Sequence, residues 1–115
     1  ADFGGDIYTL DRLVRMQHYS LPSRLLDITS NPLIALYFAC KSNPSQDGEV
    51  IVLSMEQRQI KYFDSDTASC IANLTRVSKE SKDTIDFSSN DIRKFNKQKP
   101  IKQLLHFIKE EKPFF

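Results

Sequence analysis

The densest set of polar groups in an apolar context, Met16 to Pro32, carries the residue types that hold anions. Arg24 offers a planar guanidinium fork that meets phosphate or carboxylate at two points. Thr29 and Ser30 stand at the amino end of the apolar run Leu33–Ala39. A helix starting there presents unpaired N–H groups and a partial positive charge to a ligand. Asp27 and His18 add a carboxylate and an imidazole, so the candidate ligand-binding set is His18, Arg24, Asp27, Thr29 and Ser30. A plainer use of the same residues stands beside it. Arg24 and Asp27 would pair with each other across Leu25-Leu26, and His18 would be a core histidine bonded to a backbone carbonyl, since buried polar groups need partners.

Other chemistries find little support. No glycine-rich phosphate loop, zinc motif or nucleophile elbow occurs. Ser54, Ser65 and Ser69 have no histidine nearby, and no catalytic residue is assigned. Cys40 and Cys70 lie inside helical patterns without CxxC spacing, and His18 and His106 are near neither. No metal site is expected, and the thiols read as small reduced core residues. That use of cysteine points to a cytoplasmic location. His106 falls on the polar side of the last helical segment and reads as exposed.

The elements that must position the candidate residues follow from periodicity and caps. Residues 1–6 read as a flexible lead-in. Ile7, Leu10, Leu13, Val14 and Gln17 then mark one face of a helix that should end near Tyr19, ahead of Leu21-Pro22. An extended piece spans Ser23 to Ile28. Asn31 or Ser30 caps the next helix, with Pro32 at its first position, where no N–H is needed. That helix, Leu33–Cys40, is apolar all round and so is expected at the centre of the core. Asp47-Gly48 is a turn signal, and Glu49–Leu53 reads as a strand whose continuous Val50, Ile51, Val52 and Leu53 suit a central, buried position. Asp64-Ser65-Asp66 should cap a third helix through Leu74, and residues 78–90 are polar and irregular or weakly helical. A last helix runs from Pro100 to Pro113 through Ile101, Leu104, Leu105 and Ile108. The fold class expected is α+β: an α-rich single domain, with about four helices around a small sheet and a buried central helix.

Composition bounds the function classes. The 115 residues suit one domain, with 40% hydrophobic and 27% charged side chains. No apolar run reaches the ~20 residues of a membrane span, and no membrane partner is expected. Sixteen basic and fifteen acidic residues give a net charge of +1 and no whole-molecule field. Residues 91–115 hold seven basic and three acidic groups, which reads as a solvated helix face; nucleic acid is not the expected partner. The chain ends on Phe114-Phe115, two aromatics expected to pack against further chain of the same protein.

One run carries a resemblance. Met16-Gln17-His18-Tyr19-x-Leu21-Pro22-Ser23-Arg24-Leu25-Leu26-Asp27-x-Thr29-x-Asn31-Pro32-Leu33-Ile34-Ala35-Leu36-Tyr37-Phe38-Ala39 resembles the signature of the FRG domain family. Asp47-Gly48-Glu49-Val50-Ile51-Val52-Leu53 is similar to that family's D-G-x-V-W-V-L strand. Ser20 stands where the family pattern has glycine, Ser23 where it has threonine and Ile28 where it has tryptophan. The Phe/Tyr-Arg-Gly motif that names the family is missing, so residues 1–115 are expected to be one FRG-like domain from a longer protein. The order of elements is also similar to arginine-type ADP-ribosyltransferases. That analogy implies that Thr29 and Ser30 line a nicotinamide-ribose region, that Arg24 meets a phosphate, and that NAD is the cofactor. Fold-level analogy speaks to fold before function. The readings left open are a nucleotide-like anion site with or without ADP-ribosyl chemistry, a non-catalytic structural or protein-interaction module, and nucleic-acid binding through Arg93–Lys102.

Overall fold

The computed structural model describes residues 4–115. In chain order it contains α1 (Thr9–His18), α2 (Pro32–Cys40), α3 (Asp66–Asn73), α4 (Lys79–Asp83), α5 (Ile92–Asn96) and α6 (Lys99–Glu111), with 3₁₀ turns at Gln57–Gln59 and Leu74–Arg76. Two compact units are formed: Ala1–Ser23 with Lys61–Phe115, and Arg24–Ile60 between them in sequence.

In the first unit α3 is the central helix and packs on both α1 and α6. Ser65 caps α3 by accepting from the Ala68 N–H at 3.2 Å. The small side chains of Ser69 and Ala72 are buried and let its neighbours approach closely. Ile101 and Ile108, one on each of two turns of α6, close the core together with Val77. At its centre sits a polar side chain, Asn73, with no exposed surface. Its Nδ2 donates to the Ser69 carbonyl (3.0 Å) and to Glu111 Oε1 (2.7 Å), and its Oδ1 accepts from the Thr9 hydroxyl (2.9 Å). Glu111 Oε2 also accepts from the Thr9 N–H at 2.6 Å. A carboxylate from the last turn of α6 therefore sits at the amino end of α1, where the helix dipole favours negative charge. Asp11 closes the same turn by accepting from the Tyr8 N–H at 3.1 Å.

The end of α1 has an equally local cause. The Leu21 N–H donates to the Met16 carbonyl and the Ser20 N–H to the Gln17 carbonyl, both at 2.9 Å. These two bonds make a Schellman cap, whose pivot residue adopts left-handed geometry. That residue is Ser20, with φ 58°. A side chain costs about 1 kcal/mol there and glycine nothing. Ser20→Gly is therefore expected to raise the thermal midpoint by several degrees, read by circular dichroism; a lowered midpoint would contradict the cap.

In the second unit Asn31 caps α2: its side chain accepts from the Leu33 N–H at 3.0 Å, with Pro32 at the first helical position. Gly48 lies against the end of this helix. A Cβ added there would stand 2.8 Å from the carbonyl carbon of Ala39 and closer still to its oxygen.

The expected α+β class is overturned. The structure is about half helical, and no strand or sheet occurs among the described residues. Val50–Leu53 has no ladder to join, and all four side chains are exposed. Nor is α2 a buried central helix: none of its residues is buried, and Leu33, Leu36, Tyr37 and Phe38 are more than half exposed. The unit Arg24–Ile60 has 37 residues, below the size at which a chain supplies enough of its own surface to cover such a helix. Cys40 follows it to the surface, while Cys70 is half-buried and burial raises its thiol pKa. Of the face expected for α1, Leu10, Leu13 and Gln17 are half-buried, whereas Val14 and, ahead of the helix, Ile7 are exposed; the buried residue of α1 is Thr9. The lead-in is not wholly loose either. Residues 1–3 lie outside the described residues, but the Asp6 side chain is almost fully buried in an ion pair with Arg15.

Candidate functional site

The candidate residues fall in both units, and each group is described by itself. His18 is the last residue of α1 and is exposed. It lines an open groove of about 540 Å³ together with Asp6, Asp11, Val14, Arg15 and Tyr19. Asp11, Val14 or Arg15, and His18 recur at helical spacing and so share one side of α1. Arg15 fixes the wall of the groove. Its Nε donates to both oxygens of Asp6, at 3.1 and 2.9 Å, and its Nη2 donates to one of them at 2.6 Å. The hydrogen bonds from Arg15 hold the Asp6 carboxyl below the usual carboxylate range. Both groups thus stay charged, and the groove keeps its shape through an ionic brace that the lead-in reading missed. The signal for it was weak, since Asp6 sits nine residues before its partner in a segment without periodicity.

Arg24, Asp27, Thr29 and Ser30 belong to the second unit, and all four are exposed. Among the described residues no ion pair joins Arg24 to Asp27. The Thr29 Oγ1 accepts from the Asn31 N–H at 3.1 Å, so Thr29 helps to shape the turn that opens α2. That turn is less open to an anion than its sequence suggests. Pro32 has no N–H, the Leu33 N–H is taken by Asn31, and the Ala35 N–H goes to the Asn31 carbonyl at 3.1 Å. Ile34 is the residue of the first turn whose amide none of these bonds uses. A ligand here would be held by the guanidinium and hydroxyl side chains more than by backbone amides.

The groups responsible for metal binding elsewhere are not assembled: no cluster of three or more His, Cys, Asp or Glu able to hold an ion occurs among the described residues. No helix of the described residues is long and apolar enough to cross a membrane.

The segment from the Asp6–Arg15 brace through the capped ends of α1 and α2 to Gly48 is the part of the chain that relates it to other proteins. Residues 6–48 match the FRG domain. The FRG match is partial with respect to the chain, ending at the glycine that abuts Ala39. It includes all five candidate residues and every described residue of the α1 groove except Gly5. No curated protein and no solved structure matches the chain. Part of the FRG resemblance now has a physical meaning. Met16-Gln17-x-x-Ser20-Leu21-Pro22 is the cap that ends one helix, and Thr29-x-Asn31-Pro32 is the turn that starts the next. Arg24 and Asp27 serve neither purpose.

Proposed function

We propose that the chain is an FRG-type binding module for an anionic, nucleotide-like ligand, held by Arg24 with Thr29 and Ser30. The observation that carries this reading is the state of Arg24 and Asp27. A purely structural pair would be buried and joined, but the two side chains stand exposed and no ion pair links them. Arg24 then supplies the two-point phosphate contact, and the Thr29 and Ser30 hydroxyls and the Asp27 carboxylate are suited to sugar hydroxyls. ADP-ribosyl transfer is the catalytic form of this reading, and NAD is the cofactor it would use. His18, on the other unit, is not required by it.

Calorimetric titration of NAD and of ADP-ribose into the chain tests the reading. Binding is expected for the parent and at least about tenfold weaker binding for Arg24→Ala, the loss of a charge-assisted contact being worth about 1.5–3 kcal/mol. Absence of heat from both proteins, with helicity retained, would sink it. A second reading, a non-catalytic interaction module, is favoured by the exposed apolar side chains of α2 and of Val50–Leu53, since contiguous apolar surface of this kind marks contact sites. A module of that sort gives no heat with either nucleotide.

A further inference from the structure

We propose that the corner between α5 and α6 is a binding surface for single-stranded nucleic acid. It lies in the first unit and is independent of the Arg24 site. Between Asp91 and Glu110 the sequence holds six basic residues and no acidic one. Five of them, Arg93, Lys94, Lys97, Lys99 and Lys102, fall within ten residues around this corner, and all are exposed. Among the described residues none of the five is ion-paired to a carboxylate. The run by itself is what a solvated face looks like. The structure adds an exposed aromatic fixed beside it.

Phe87 is 76% exposed, yet its position is determined. The Gln98 side chain clamps the residue before it: Oε1 accepts from the Asp86 N–H at 2.8 Å, and Nε2 donates to the Asp86 carbonyl at 2.9 Å. Gln98 lies between Lys97 and Lys99, so this reciprocal pair brings Phe87 to the basic corner across twelve residues of chain. The Phe87 ring rests on Phe95 of α5, with centroids 6.1 Å apart and planes tilted by 42°. Two acids lie close by: Asp86, whose carboxylate attracts Lys94, and Asp91. Asp86 Oδ1 accepts from the Ser88 N–H at 2.8 Å, and Asp91 caps α5 through the Arg93 N–H at 2.8 Å. Cations for phosphates beside an exposed aromatic ring for a base are the two parts of a single-strand site. An acidic polypeptide would satisfy the cations alone and would leave the fixed ring without a use.

The test is fluorescence anisotropy with labelled twelve-nucleotide oligo(dT) and oligo(U) and the whole chain. Both probes are expected to bind, with log K falling against log salt at a slope no steeper than about −3.5 for five cations. Phe87→Ala is expected to weaken binding at least about fivefold, the lower bound for losing one stacked base, and Phe87→Tyr to retain it. Lys94→Glu with Lys97→Glu is expected to abolish it. These positions are exposed, and unchanged circular dichroism verifies that each variant folds. The proposal is overturned if Phe87→Ala binds as the parent does, if neither probe binds at low salt, or if polyglutamate displaces the probe as well as unlabelled oligo(dT) does.

Discussion

Asn73→Asp is expected to destabilise the first unit by about 3 kcal/mol or more, lowering its thermal midpoint by more than about 10 °C. The substitution hardly changes shape, so the effect is chemical. The new oxygen cannot donate to the Ser69 carbonyl or to Glu111 Oε1, which lies 2.7 Å from the present nitrogen. It also places a second carboxylate in a fully buried position against the first, and two like charges so close cannot both remain ionised. Glu111→Gln restores a neutral partner with an amide that can donate back. The double variant is therefore expected to be more stable than Asn73→Asp alone, and a double-mutant cycle by thermal melting reads the coupling directly. Simple additivity of the two losses would show that Asn73 and Glu111 do not act as a pair.

The second large effect is expected at Gly48. Its φ is not in the left-handed region, so the reason for glycine is space rather than torsion. A methyl group would collide with the backbone carbonyl of Ala39, which has no rotamer by which to yield. Forcing a group into a closed contact costs about 1–3 kcal/mol or more, a large share for a unit with little core. Gly48→Ala is expected to loosen the last turn of α2, with hydrogen exchange at Phe38, Ala39 and Cys40 accelerated at least about fivefold and amides of α6 unaffected. Unchanged exchange in α2 would show that residue 48 does not hold that turn.

What was legible in the sequence was local. The end of α1 near Tyr19, the Asn31-Pro32 start of α2, the Ser65 cap and the α6 span near Pro100–Pro113 all depend on residues within one helical turn of each other. What failed was burial, which depends on surfaces far away in sequence. An apolar helix and an apolar run look like core and strand, but the 37 residues that contain both offer them no second strand and no cover. The buried centre was illegible for the opposite reason: Asn73 and Glu111 look like surface residues, and they meet Thr9 across 64 and 102 positions. Of the candidate set, the sequence left open whether Arg24 and Asp27 pair with each other or meet an anion. It did not reveal that the amides at the start of α2 are largely taken by Asn31.

The carboxylate that holds the amino end of α1 also sets an order of events during synthesis. A ribosome adding about 5–20 residues per second leaves roughly 5–20 s between the appearance of Thr9 and that of Glu111, 102 residues later. Throughout that interval α1, ten residues long, is too short to persist alone in water. The segment Arg24–Ile60 is made in full before the first unit has its last helix. Helix α1 is thus secured by a residue translated 102 positions after its start, and any pause before α6 prolongs the time that it stands unprotected.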